Sequence, residues 1–425
     1  MKAALVTPCL PHLPFHPTCL LGYGTAILAE KYDLSVIDLN AELYYRNKGR
    51  LAELLNVMDK TQIVSDASHF YPFYSELETQ IDGHYVRIPW MDYPIVYVTP
   101  PAWFPMVPTE AVLRLSRAIR RASPDTRVFF FGNSLGSWTD AGELATNGVQ
   151  TVHLNDLSVA GATSKPVRYD LLPAPVYENG GRYLFDLLPF VTKHGCSWGQ
   201  CRFCSLSKGW NSGYLERSPK TSARELEALV HRHNPGMLVC MDNSLDGHNL
   251  MEFCRHLEGF EKPWCAQSRA ELSEKKIDAL RKAGCRLIYF GLESGSDRTL
   301  KALNKGITSK EMSDFIRRLH SRGIVPFPSL MVGAPGERRA DFEKTLLFVV
   351  DHSQYLDVVN VYPFTASPAS EFASQHREPD ENTTMRLLQF IQTCQDFGLR
   401  VCVGEQSAEY VMFTRVAHSA SRRRT

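Results

Sequence analysis

Apolar residues in this chain fall into short runs separated by longer stretches of helical periodicity, and the series occurs twice. In the first, Lys2–Val6, Leu34–Leu39, Ile95–Thr99, Val128–Phe131 and Thr151–Leu154 read as buried strands. Gly22–Lys31 and Val112–Ala122 read as helices between them. Strands alternating with helices predict a parallel, doubly wound sheet. Residues 41–94 break this pattern with the aromatic stretch His69-Phe70-Tyr71-Pro72-Phe73-Tyr74. That stretch suits an insertion or lid, with packing as the default role of its rings.

The second series has six strand candidates: Leu187–Thr192, Met237–Met241, Pro263–Ala266, Arg286–Phe290, Val325–Met331 and Asp357–Tyr362. Capping boxes at Ser222–Glu225 and Thr308–Glu311 predict helix starts between them. After Thr308, Met312, Phe315, Ile316 and Leu319 share one helical face, which Gly323 ends. Six such units predict a partial (β/α)6 barrel of TIM type, with functional residues at the C-terminal strand ends. The expected organisation is a Rossmann-like domain over 1–156 and a turn-rich linker over 157–185. The barrel follows over 186–365, then a small C-terminal extension over 366–425 with the helix Met385–Phe397 and a frayed basic tail.

Composition narrows the function class. Of 425 residues, 44% are hydrophobic and 22% charged, and the net charge is +1. That balance fits a globular protein and gives no broad field for nucleic acid or acidic lipid. No apolar run reaches the roughly 18 residues of a membrane span, and the first residues lack a signal-peptide core. A cytoplasmic location is therefore expected. In that compartment the eleven cysteines should be thiols or metal ligands.

Three of them cluster, as Cys196, Cys201 and Cys204 in a C-x4-C-x2-C loop directly after the first strand of the second series. Three thiolates can hold three corners of an iron–sulfur cluster and leave one iron open to a ligand. The loop alone also suits zinc, with His194 as a fourth ligand in a non-catalytic binding module. Polar or glycine-rich segments follow the later strands: Asp242-Asn243-Ser244, Gln267-Ser268-Arg269, Gly291–Ser296 and Gly333–Glu337. A cofactor across that rim would meet all of them. Asp242 also suits a plain helix cap, and Arg269 a structural ion pair.

In order and spacing, the cysteine loop with Phe203, the Gly291–Ser296 segment running on to Asn304-Lys305-Gly306, and Gly333–Glu337 resemble the radical S-adenosylmethionine (radical SAM) superfamily. The resemblance covers roughly residues 186–365. It implies a [4Fe–4S] cluster on Cys196, Cys201 and Cys204, with SAM on the fourth iron and reductive cleavage to a 5′-deoxyadenosyl radical. It implies further that Glu293 and Ser294 face the ribose and methionyl end of SAM. Arg269 would meet the SAM carboxylate, and Phe203, Met331 and Gly333 would border adenine, with Asp242 also counted among the cofactor-binding residues. The extra residue between Cys196 and Cys201 departs from the commonest spacing of that family.

Leu21–Gly24, Val36–Asn40 and Phe131–Ser134 resemble the cobalamin-binding domains fused to many such enzymes, without the D-x-H-x-x-G signature. Bound cobalamin would imply methyl transfer, and a domain that has lost the cofactor is equally consistent. Gly195–Cys204, Arg217-Ser218-Pro219 and Met241–Asp246 resemble segments of cobalamin-domain members that modify peptides. The implied partners are a peptide or small-molecule substrate and an electron donor such as flavodoxin or ferredoxin, with no membrane and no nucleic acid.

Overall fold

The computed structural model describes residues 1–99, 109–132, 140–153, 156–160, 174–177, 182–204, 214–365, 370–375 and 380–421. In chain order its strands are β1 (Lys2–Thr7), β2 (Asp33–Asp38), β3 (Ile63–Ser65), β4 (Ile95–Val98), β5 (Arg127–Gly132), β6 (Gln150–His153), β7 (Asp156–Ala160) and β8 (Leu187–Phe190). Then come β9 (Lys193–His194), β10 (Leu215–Glu216), β11 (Met237–Cys240), β12 (Trp264–Ser268), β13 (Cys285–Glu293), β14 (Val325–Val332), β15 (Val358–Pro363) and β16 (Arg400–Val403).

The first series forms a six-stranded sheet in the order β2-β1-β4-β5-β6-β7, parallel except for the β6–β7 pair. The order reverses between β1 and β4, the switch point at which open α/β sheets bind ligands. The helix Cys19–Ala29 packs on this sheet through small residues. A Cβ on Gly24 would meet Phe131 at 2.8 Å and Leu5 at 2.9 Å, so a larger residue would push the helix away. In the motif Phe131–Ser134, Asn133 and Ser134 lie outside the described residues, as do most of the expected linker and Arg422–Thr425 of the basic tail.

The second series forms an eight-stranded parallel sheet, β3-β16-β15-β14-β13-β12-β11-β8. It contains the six expected strands and two more. β16 comes from the C-terminal region and β3 from residues 41–94. Those residues are therefore no lid: β3 completes an edge of the sheet, while Phe70 and Phe73 are buried. One further difference concerns Ser222. The helix starts one turn earlier, at Pro219, with Ser218 as its N-cap. Proline has no N–H to lose and a φ already suited to the first helical position, so Ser218-Pro219 outcompetes the box. Ser222 is then buried inside the helix, and Glu225 pairs with Arg217. The Thr308–Glu311 box forms as expected and begins the helix Ser309–Ser321.

Alternation along the strands divides the apolar residues. Leu188, Leu238, Ile288, Leu330 and Val359 join the core beneath the outer helices. Leu187, Val239, Leu287, Phe327 and Val358 point to the inner face. There they share a core with the N-terminal domain and with the helix Glu405–Ser421, which lies against β12, β13 and β16. Asp66 fixes the start of that helix by accepting from Gln406 N, Ser407 N and Ser407 Oγ.

Candidate cluster and cofactor site

The site begins at the end of β8. Asp242, buried after β11, accepts from Thr192 N at 2.7 Å and Lys193 N at 3.1 Å, and from the Thr192 hydroxyl. Lys193 Nζ in turn donates to the carbonyls of Leu245 and Asp246 at 2.7 and 3.1 Å. The Asp242 carboxylate thus fixes the strand end that leads into the cysteine loop, since buried carboxylates need such donors.

The loop is held from the opposite side by the turn Ala302–Gly306. Arg202 N donates to Leu303 O at 3.0 Å, Asn304 Nδ2 to Gln200 O at 2.8 Å, and Trp198 Nε1 to Asn304 O at 3.0 Å. The turn can approach this closely because Asn304 and Gly306 adopt left-handed φ values of 52° and 72°. A Cβ on Gly306 would come within 2.4 Å of the Trp198 ring. Two of the four residues between Cys196 and Cys201, Trp198 and Gln200, are therefore anchored to this turn.

Two cations face the buried thiol. Arg269 Nη1 lies 3.7 Å from Cys201 Sγ, its guanidinium stacks over Trp198, and Nη2 donates to Lys305 O at 2.6 Å. Lys305 Nζ donates to Glu293 Oε1 at 2.6 Å and lies over the Phe203 ring. Burial pushes the Cys201 thiol up, while Lys305 and Arg269 pull it down. The net shift is upward, and the two cations offset only part of the cost that burial places on ionising this thiol.

Glu293 ends β13 with a φ of 64°, past an irregularity in its pairing with β14. Its Oε2 is buried with no partner, an open acceptor beside Lys305. Ser294 turns away, its hydroxyl 2.9 Å from that of Thr345 and accepting from Ser296 N. Met331 packs in a small apolar cluster with Leu303, Phe364 and Phe372, against which Phe203 rests. Gly333, at φ 80°, donates to Glu337 Oε2 at 2.9 Å, and Thr383 fills the space on its Cβ side.

The structure therefore brings Cys201, Phe203, Arg269 and Glu293 together around Lys305. Asp242 lies behind the strand end, and Ser294 faces the helix Arg339–His352. The sequence names Lys305 only within the Asn304-Lys305-Gly306 piece of the resemblance and gives it no role of its own. Its role depends on a chain reversal that brings it back to the cysteines, and a window of local sequence does not contain that. Among the described residues no three His, Cys, Asp or Glu side chains converge on a single metal ion, His194 included. A four-iron cluster spaces its thiolates more widely than one zinc ion does.

At the end of a parallel barrel, the structure thus sets the buried Cys201 thiol beside two cations and an open carboxylate oxygen, in the loop that also carries Cys196 and Cys204. Residues 190–349 match the radical SAM superfamily. The barrel thus carries a radical SAM domain, in a superfamily whose cofactors are a [4Fe–4S] cluster and SAM, and a Rossmann-like sheet precedes it. Over 209 residues it is 29% identical to the uncharacterized methyltransferase PH0819 of Pyrococcus horikoshii, covering 46% of this chain and 44% of that protein. It is 25% identical over 242 residues to the tRNA-2-methylthio-N(6)-dimethylallyladenosine synthase of Bordetella pertussis, covering 53% and 52%. The chain thus spans about half the length of these relatives. Among solved structures it is similar to the radical SAM methyltransferase TsrM from Kitasatospora setae, with cobalamin and a [4Fe–4S] cluster bound. The TM-score is 0.63 at 16% identity, over 88% of this chain and 77% of that one.

Proposed function

We propose that this protein holds a [4Fe–4S] cluster on Cys196, Cys201 and Cys204, cleaves SAM reductively, and modifies a peptide or small natural product. When bound, cluster and SAM supply one-electron cleavage of a carbon–sulfur bond, and cobalamin would supply a methyl carrier. The protein's own residues supply position and charge. Arg269 fixes Cys201 and, with Lys305, offsets the negative charge that three thiolates concentrate there. Glu293 Oε2 offers an acceptor to the hydroxyl or ammonium groups of SAM, and Phe203 and Met331 offer apolar surface. The observation that carries this reading is the buried, unpartnered Glu293 Oε2 beside the Lys305–Arg269–Cys201 constellation.

For cobalamin, Thr99 follows β4 at the switch point, fully buried, its Oγ1 without a partner. A polar cofactor there would satisfy that hydroxyl, which buried polar groups otherwise obtain from protein or water. TsrM, with the same overall fold, has been solved with tryptophan as its substrate and a SAM analogue. That supports methyl transfer to a compact acceptor. A flavodoxin or ferredoxin would supply the electron.

The test is anaerobic cluster reconstitution followed by SAM and a chemical reductant. Wild-type protein should form 5′-deoxyadenosine, and Cys201→Ala should reduce it to background. Turnover of the variant at the wild-type rate would refute the assignment. Visible absorption of protein incubated with hydroxocobalamin and desalted reads cobalamin retention independently.

A further inference from the structure

One side of the rim is held by a part of the chain that lies beyond the matched residues 190–349. The helix Glu381–Asp396 packs on β14, β15 and β16 beside the helix Arg339–His352, with Phe390 and Cys394 in the outer core. Asp380 caps it by accepting from Thr383 N at 2.7 Å. Its first turn reaches the loop Gly333–Glu337 at the end of β14, where Thr383 lies against Gly333.

That loop is a tight reversal. Glu337 N donates to Ala334 O at 2.9 Å, and Glu337 Oε2 turns back to accept from Gly333 N at 2.9 Å. Gly333 and Gly336 hold left-handed φ values of 80° and 75°. Between them Ala334 packs with Leu303, Met331, Phe364 and Phe372, the cluster on which Phe203 rests, one residue before Cys204. The pose of the loop therefore sets one wall of the apolar surface beside the cysteines.

Two arginines hold this pose. Arg298, which follows the Glu293 segment, donates from Nη2 to Gly336 O at 2.5 Å. Arg386, in the second turn of the C-terminal helix, donates from Nη1 to Glu337 Oε2 at 2.9 Å. Its guanidinium lies 5.8 Å from the centre of the buried Phe342 ring. The Glu337 side chain is 1% exposed, and its Oε1 has no partner among the described residues. One oxygen thus serves both Gly333 N and Arg386. Without Arg386 the carboxylate is a buried charge with a single backbone donor, which is strongly unfavourable. It would take up a proton or move toward water, and either change loosens its hold on Gly333 N.

We propose that Arg386 is a positioning residue for SAM: acting through Glu337, it fixes the Gly333–Glu337 loop, and Ala334 with it, in the pose that receives the cofactor. This makes the C-terminal helix part of the cofactor site, and it rests on the reading of the rim as a SAM site.

Calorimetric titration of the anaerobically reconstituted protein with SAM tests the assignment, together with the kinetics of 5′-deoxyadenosine formation under a chemical reductant. Arg386→Met keeps most of the side chain's bulk and removes its charge. It should weaken SAM binding about tenfold, which is about 1.4 kcal/mol. KM should rise by a similar factor with kcat within about twofold, the pattern of lost binding. Arg386→Lys restores the charge without the planar fork, and should return affinity to within about threefold of wild type. In a Glu337→Gln background, Arg386→Met should add little further loss, because the two residues act as one unit. Iron content and melting temperature of each variant read cluster loading and folding separately. Wild-type affinity in Arg386→Met, no recovery in Arg386→Lys, additive losses in the double variant, or affinity lost only together with iron overturns the proposal. A wild-type protein that neither binds SAM nor forms 5′-deoxyadenosine counts instead against the cofactor reading itself.

Discussion

Glu405 places a carboxyl where water would ordinarily ionise it, and its folded environment opposes that. Its value rises from the ordinary 4.5 to about 8, chiefly through burial and then through Glu409. Below about pH 4.5 the folded and unfolded forms are both protonated and the group has no effect on stability. Between there and about pH 8 the unfolded chain ionises and the folded one does not, so stability falls as pH rises. Glu405→Gln should therefore raise the melting temperature at pH 8 and leave it nearly unchanged at pH 4.5, as scanning calorimetry at the two pH values would show. Gly306 makes the opposite demand. A methyl group there would meet the Trp198 indole, and the left-handed φ would add about 1–2 kcal/mol of strain. Gly306→Ala should lower iron and sulfide content after reconstitution, because Trp198 supports both Arg269 and the cysteine loop. Iron retained at the wild-type level would show that this contact is dispensable. At this scale the sequence displays the ligands but not their supports. The cysteines announce themselves by spacing, and Arg269 and Glu293 by position after strands. Lys305 depends on a turn whose return path is a tertiary fact.

The Thr308 helix start is legible because the box is local: hydroxyl, carboxylate and backbone all lie within one turn. Thr308→Ala should cost about 1 kcal/mol in urea unfolding while leaving 5′-deoxyadenosine formation unchanged, since the box is exposed and outside the site. Ser222–Glu225 has the same local pattern, yet Ser218-Pro219 takes the start. A box is therefore a statement about competition between neighbouring caps. Strand existence is well read throughout the second series, where buried apolar runs carry the signal. β3 and β16 are short, and their burial comes from sheet neighbours remote in sequence, so periodicity is weak in both. Inner and outer faces of the parallel strands are likewise indistinct in sequence, because both are apolar. This is why the contact of the helix Glu405–Ser421 with the inner face emerges only from the fold.

The two sheets are joined by a buried polar knot. Arg217 donates to Glu225 at 2.7 and 3.0 Å and to the Tyr23 hydroxyl at 3.0 Å, and Tyr23 donates to Glu225 at 2.7 Å. Both charged side chains are nearly inaccessible, at 2% and 5%. Removing one partner leaves a buried charge unmatched, at about 3–5 kcal/mol, whereas replacing both with apolar residues of similar size is often neutral. Arg217→Met should thus lower stability sharply, and Arg217→Met with Glu225→Leu should recover most of it, as chemical denaturation of the three proteins would show. The position of β3 has a consequence for synthesis. β16 pairs with β3 across most of the chain, and Asp66 binds Ser407 from 341 positions away. Loop closure over such a distance is slow. Once a ribosome has made β15 and until β16 follows, β15 has no neighbour on its far side and the lumen is open to solvent. The nascent barrel then displays a bare parallel edge and an apolar trough, the surfaces that chaperones cover. Soluble yield should therefore depend strongly on chaperone supply, and a clone beginning at the barrel should aggregate even with its cysteine loop intact.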